Sequence, residues 1–326
     1  MIPYLDDGDV RLYHGDVLDV LREIDAESVQ TCVTSPPYWG LRDYGKPEQL
    51  GLETTPEEYV ARMVEVFREV RRVLREDGTL WLNLGDSYSA GHAGPPSVAS
   101  GLSGNGHNGG GPKMGTVATV TRRASGLKPK DLVGIPWRVA FALQTDGWWL
   151  RSDIVWNKPN PMPESVTDRP TRCHEYVFLL TRSERYFYDH AAILEPLTST
   201  PEQYLRAGKS VRDNHAFGEV AGRPLGPSSF ATVPDGRNAR SVWTISTKPY
   251  RGAHFATFPP DLPERCIKAG SAEGDLVLDP FSGSGTTAFV ARQLARRAVG
   301  IDLNTEYLDL AADRLKQLSL FGGGAS

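Results

Sequence analysis

Two short stretches carry residue types suited to chemistry on a nucleotide-like ligand. The first, Thr34 to Gly40, reads Thr-Ser-Pro-Pro-Tyr-Trp-Gly. It sets one hydroxyl at Ser35, rigid backbone carbonyls at Pro36 and Pro37, and flat apolar faces at Tyr38 and Trp39, directly after the apolar run Ser28 to Val33. That run predicts a buried parallel strand, which the prolines end because they cannot donate to a ladder. The carboxyl end of such a strand is the ligand-binding edge of an open α/β sheet. The residues equally suit a proline-rich turn whose aromatics join the core.

The second stretch, Asp279-Pro-Phe-Ser-Gly-Ser-Gly-Thr-Thr287, stands between the strand-like Asp275 to Asp279 and a helical segment from Ala288 to Ala295. Gly283 and Gly285 let the backbone approach a ligand, and the amides of Thr286 and Thr287 offer donors at a helix start. Asp302 ends the next predicted strand, Ala298 to Asp302, where a carboxylate accepts the hydroxyls of a ribose in folds of this kind. The pattern departs from that of dehydrogenases, since Asp279 and Pro280 precede the glycines and Thr287 replaces a third one. Asp279 opposes a pyrophosphate but attracts a cation such as the ammonium of S-adenosylmethionine, which favours a methyl donor over NAD. Asp16, just past the strand Val10 to Tyr13, suits either a helix cap or an acceptor for the same ligand.

The elements that must position these residues read as an α/β succession. After the first motif, 41–55 predicts an ordered loop over the site. Residues 56–75 repeat apolar positions at helical spacing after the N-cap Thr55, with Asp77-Gly78 as the stop. Thr79 to Leu84 is the next strand, and the strand, helix, strand order predicts a right-handed parallel crossover. Further on come a helix at Leu132 to Leu143, strands at Gly147 to Trp156, Glu175 to Thr181 and Tyr186 to Tyr188, a helix ending near Gly270, and a last helix from Tyr307 to Leu318. Residues 89–126 are dominated by Gly, Ser, Ala, Asn and His and predict a flexible loop, because they offer too little apolar surface to offset ordering. Arg122, Arg123, Lys128 and Lys130 at its end suit phosphates or a solvated linker. Residues 190–250 hold Arg206, Lys209, Arg212, Arg223, Arg237 and Arg240 and suit an inserted lobe.

The chain has 326 residues and a formal charge of -4, so contact with nucleic acid must come from local cationic clusters. Cys32, Cys173 and Cys266 lack paired spacing, which predicts reduced thiols and implies no metal. No apolar run suits a membrane span, and the expected setting is the cytoplasm.

Asp279-Pro-Phe-Ser-Gly-Ser-Gly taken with Thr34-Ser-Pro-Pro-Tyr-Trp resembles the pair of hallmark motifs of S-adenosylmethionine-dependent DNA amino-methyltransferases. The catalytic motif comes first, the order of the beta group. Tyr13-His-Gly-Asp16, Trp156-Asn-Lys-Pro159, His174-Glu175 and His254-Phe-Ala-Thr-Phe-Pro259 agree with it. The resemblance implies a Rossmann-like α/β fold with a mainly parallel sheet and an inserted target-recognition lobe. It divides the chain into a catalytic part at 1–159, a target-recognition region at 160–250 and a cofactor part at 251–326. It implies that Ser35 and Pro36 accept hydrogen bonds from an exocyclic amino group, with Pro37 in the same motif, and that Tyr38 stacks on a base turned out of double-stranded DNA. Asp16, Phe258, Asp279, Pro280, Phe281, Ser282, Gly283, Gly285, Thr286 and Asp302 are the implied cofactor residues. Serine at position 35 favours cytosine N4 over adenine N6. A non-catalytic DNA-binding specificity module is the rival of another class. The sequence leaves open whether the protein forms a homodimer or serves beside a cognate restriction endonuclease.

Overall fold

Apolar and β-branched runs form the strands of a nine-stranded sheet with the order β1-β2-β9-β8-β3-β4-β6-β5-β7. The computed structural model describes residues 1–40, 49–89, 127–197, 235–247 and 258–321. The strands are β1 (Leu5–Asp6), β2 (Val10–His14), β3 (Val29–Thr34), β4 (Leu74–Leu84), β5 (Trp149–Asn157), β6 (His174–Thr181), β7 (Val242–Thr244), β8 (Leu276–Asp279) and β9 (Arg297–Asp302). The helices are α1 (Val17–Glu23), α2 (Pro56–Val73), α3 (Ile135–Thr145), α4 (Asp261–Gly270), α5 (Thr286–Gln293) and α6 (Thr305–Phe321).

Strands β2, β9, β8, β3 and β4 run parallel, β6 is antiparallel to both of its neighbours, and β7 pairs parallel with β5. The α/β fold with a mainly parallel sheet is thus as expected. The chain leaves β3 through α2 to β4 on one side, and leaves β8 through α5 to β9 on the other. The boundary between β3 and β8 is therefore the topological switch point, where an open sheet leaves a crevice beyond its carboxyl ends.

Period-two alternation splits the burial. Cys32, Leu80 and Leu82 pack with Leu21 of α1, Phe67 and Val70 of α2 and Val139 and Leu143 of α3 in one core. Thr31, Thr79 and Trp81 face the other way, where a Cβ on Gly270 of α4 would lie 2.7–2.8 Å from their side chains. That close approach requires glycine at the end of α4.

Several boundaries differ from the sequence expectation. The sequence suggests a helical turn from Val20 to Ile24, but helix α1 starts at Val17, because Asp16 caps it. Helix α2 ends at an extended Leu74, and Asp77-Gly78 lie within β4. Its start matches: Thr55 and Glu58 form a reciprocal capping box with Pro56 in the first turn, worth about 1 kcal/mol. Tyr186 to Tyr188 form no strand; Tyr188 stacks on Trp81 at 6.4 Å, and the Phe187 N–H bonds Asp77 O.

Residues 1–188 with 241–326 form one compact unit and Asp189–Arg240 a second. The second is narrower than the 160–250 region, since β6 and β7 are strands of the main sheet. Within it, Glu195 pairs with Arg237 at 3.1 Å and Arg240 at 2.9 Å. The 90–126 stretch of the glycine-rich segment, the 41–48 part of the loop after the first motif, and Arg206, Lys209, Arg212 and Arg223 lie outside the described residues. Among the described residues, no helix is long and apolar enough to cross a membrane.

Candidate active site

The two motifs meet at the switch point. Thr34, the last residue of β3, donates its hydroxyl to Asp279 Oδ1 at 2.7 Å across 245 residues of sequence. Asp279 Oδ2 takes the Thr287 hydroxyl at 2.7 Å, and Oδ1 also takes the Phe281 N–H at 3.1 Å. Thr287 reaches Val33 O as well. One buried carboxylate thus ties the end of β3, the end of β8 and the first turn of α5. Burial pushes the Asp279 carboxyl up to about 6, against the lowering effect of the bonds from Thr34, Thr287 and Phe281.

A raised folded value has a definite sign. Asp279 holds its proton in the folded protein at pH values where the unfolded chain has lost it, so its contribution is fully present below the unfolded value and lost as pH rises through about 6. Relative to Asp279→Asn, which does not titrate, the wild type is expected to lose about 2 kcal/mol of stability between about pH 4 and about pH 7. Urea unfolding of both proteins across that range checks this. A constant difference would mean that the carboxyl is not desolvated.

Beyond β8 the turn is built on glycine. Gly283 and Gly285 have φ of 50° and 71°, and Gly285 leads into α5. The Gly283 N–H donates to Asp302 Oδ2 at 2.8 Å, while Asp302 Oδ1 takes the Asn304 N–H at 2.8 Å. Burial raises the Asp302 carboxyl. Ser282 Oγ and Ser284 Oγ are buried with no hydrogen-bond partner among the described residues. Thr286 receives a bond from Arg314 at 3.0 Å. Pro280 is buried, and Phe281 is half-buried against the core. On the neighbouring strand end, Asp16 accepts from Leu18 N at 2.8 Å and Asp19 N at 3.3 Å, so its capping role is real. The Gly15 N–H meets Asp302 O at 3.2 Å, which keeps the ends of β2 and β9 together. Phe258, half-buried, opens the stretch leading into α4.

The first motif is held from several sides. Tyr59 of α2 donates to Pro37 O at 2.8 Å, and Gly40 N to Gly51 O at 2.7 Å. Trp39 is 1 % exposed and donates its indole N–H to Glu53 O at 2.9 Å, so it belongs to the core. Pro36 is buried, and Ser35 is half-buried with its Oγ 3.3 Å from the Tyr38 hydroxyl. Tyr38 donates to Glu175 Oε2 at 2.8 Å and lies 3.2 Å from Asn83 Oδ1. A Cβ on Gly85 would stand 2.5 Å from the Tyr38 ring, so glycine there makes room for it.

Glu175 and Lys158 form an ion pair, with Lys158 Nζ 4.3 Å from the centre of the Trp156 ring. Sequence reasoning singles out both stretches without giving either side chain a task, and passes over Asn83. The available signal was polarity out of place: Asn83 interrupts the buried run Leu80 to Leu84, and Glu175 opens the apolar run of β6. Lys128 and Lys130 pair with Asp131 and Asp168 at 3.1 and 2.6 Å.

Residues 29–313 match the family model described as DNA methylase. The chain belongs to that family. This methylase is an S-adenosylmethionine-dependent amino-methyltransferase. It is 48% identical over 307 residues to the Type II methyltransferase M.Cfr9I of Citrobacter freundii, covering 94% of this chain and 87% of that one. It is 45% identical over 301 residues to the Type II methyltransferase M.SmaI of Serratia marcescens, covering 92% and 89%. Its fold is similar to that of the PvuII DNA methyltransferase (cytosine-N4-specific), with a TM-score of 0.62 at 19% identity over 96% of this chain and 88% of that one. The Thermus thermophilus protein TTHA0409, solved with S-adenosyl-L-methionine, superposes with a TM-score of 0.56 at 24% identity over 94% of this chain and 93% of that one.

Proposed function

We propose that this methylase transfers a methyl group to N4 of a cytosine turned out of double-stranded DNA at a specific site. The observation that carries the reading is the Thr34 to Asp279 bond at 2.7 Å, which brings the Ser-Pro-Pro-Tyr motif beside the glycine turn. The names of the 48% and 45% identical relatives, Type II methyltransferases, support a site-specific DNA substrate and a restriction endonuclease of matching specificity as its counterpart. Ser35 supports cytosine N4 over adenine N6, as does the cytosine-N4 specificity in the name of the PvuII enzyme.

The groups at the second motif fit S-adenosylmethionine. Asp302 keeps lone pairs for ribose hydroxyls, and Ser282 Oγ is buried with no partner among the described residues. Asp16, Phe258, Pro280, Phe281, Gly283, Gly285 and Thr286 complete this wall. Asp279 acts through its charge and through the Thr34 and Thr287 hydroxyls it holds, because its oxygens are already engaged. When bound, the donor supplies an electrophilic methyl group on a sulfonium. The protein's own task is the amino nitrogen, whose lone pair is conjugated into the ring. The Ser35 hydroxyl and Pro36 carbonyl accept its hydrogens as it becomes tetrahedral, which stabilises the transition state more than the ground state. Tyr38 offers its ring to the extruded base, with Pro37 fixing the turn. The 160–250 region, which includes the Asp189–Arg240 unit, reads the sequence around the target.

Incubation of duplex DNA with the protein and labelled donor, followed by nucleoside mass spectrometry, should yield N4-methylcytosine. N6-methyladenine as the sole product would overturn the choice of base.

A further inference from the structure

The Tyr38 hydroxyl stands at the centre of a directed set of hydrogen bonds. Glu175 is acceptor-only; its Oε1 faces Lys158, and its Oε2 receives Tyr38 at 2.8 Å and Asn83 Nδ2 at 3.2 Å. Asn83 Nδ2 also donates to Tyr176 O at 3.1 Å, which turns Asn83 Oδ1 toward Tyr38 at 3.2 Å. The phenol oxygen therefore meets two acceptors on this side and must give its proton to them. Burial and the neighbouring Glu175 push the phenol well up, so the proton stays on it. The remaining lone pairs of Tyr38 lie 3.3 Å from Ser35 Oγ, which can only donate to them.

We propose that Glu175 is a positioning residue: through Tyr38 it commits the Ser35 proton away from the target, so that Ser35 presents lone pairs to an amino group and refuses a keto group. This rests on the reading of Ser35 as an acceptor for the target nitrogen. It adds a role for Lys158 as well, which holds the Glu175 carboxylate in place. Base choice is then set partly by hydroxyl direction, not by shape alone.

The test uses binding without the methyl donor. Duplexes containing the enzyme's mapped site carry cytosine or uracil at the target position opposite an abasic site, so that neither base must break a pair. The wild type should prefer cytosine about tenfold, the worth of one hydrogen bond. Tyr38→Phe frees the Ser35 proton, and Glu175→Gln introduces a donor that can reverse the chain. In both, the preference should fall toward one and kcat should drop while KM for DNA holds. No cytosine preference in the wild type, or a preference kept in both variants, would overturn the role of Glu175. If the product is N6-methyladenine, adenine against hypoxanthine replaces the pair of bases, so an error in the target base is told apart from an error about Glu175.

Discussion

Replacing Ser35 with alanine is expected to lower single-turnover methylation about 100-fold or more, the usual worth of one preorganised transition-state hydrogen bond. The expectation is large because the amino nitrogen is a poor nucleophile in its ground state and gains basicity only as its hydrogens are drawn out of the ring plane. In the proposed mechanism Ser35 supplies one of two acceptors for that change. Its structural role is small: Ser35 Oγ has a 3.3 Å contact to Tyr38, and the tie between the motifs runs through Thr34 instead. Stability should therefore fall by less than about 1 kcal/mol. Affinity for S-adenosylhomocysteine, measured by calorimetry, should be unchanged. A parallel loss of cofactor affinity would show that Ser35 belongs to the other half of the site.

Asp302→Ala should have the opposite profile. Two ribose hydroxyls bonded to a carboxylate are worth about 3 kcal/mol together, which corresponds to roughly 100-fold in Kd for the cofactor. The carboxylate also receives the N–H groups of Gly283 and Asn304 at 2.8 Å, so its removal loosens the glycine turn. Turnover at saturating donor should recover far more than it does for Ser35→Ala. If saturation fails to restore it, Asp302 is acting on the chemical step and the division of labour between the motifs is wrong.

Much of this arrangement was legible in the sequence because strand ends carry strong local signals. The prolines after Thr34 and the glycines after Asp279 mark where ladders stop, and the apolar runs before them mark buried strands. Tertiary partners were not legible. Asp279 reads as a charge aimed at a ligand, yet its oxygens are taken by Thr34 and Thr287, and the first of those bonds spans 245 residues. Trp39 reads equally as a stacking face or as core, and its burial and its bond to Glu53 O decide for core. Val242–Thr244 gave too short a run to be separated from the lobe around it, and its pairing with β5 supplies the missing context. Helix α1 began a turn earlier than expected because capping by Asp16 outweighs the weak local preference of Val17.

The position of β8 bears on when the protein becomes active during its own synthesis. This strand comes from the last quarter of the chain, yet it fills a slot between β9 and β3 in the middle of the sheet. Until it emerges from the ribosome, β3 has an open edge and Thr34 lacks its partner. The loop that must close is among the longest the chain can form, and such pairings form slowly. A nascent chain that has made the whole Ser-Pro-Pro-Tyr motif thus still lacks both the Asp279 tie and the Gly283 to Asp302 turn, which come with β8 and after it in the chain.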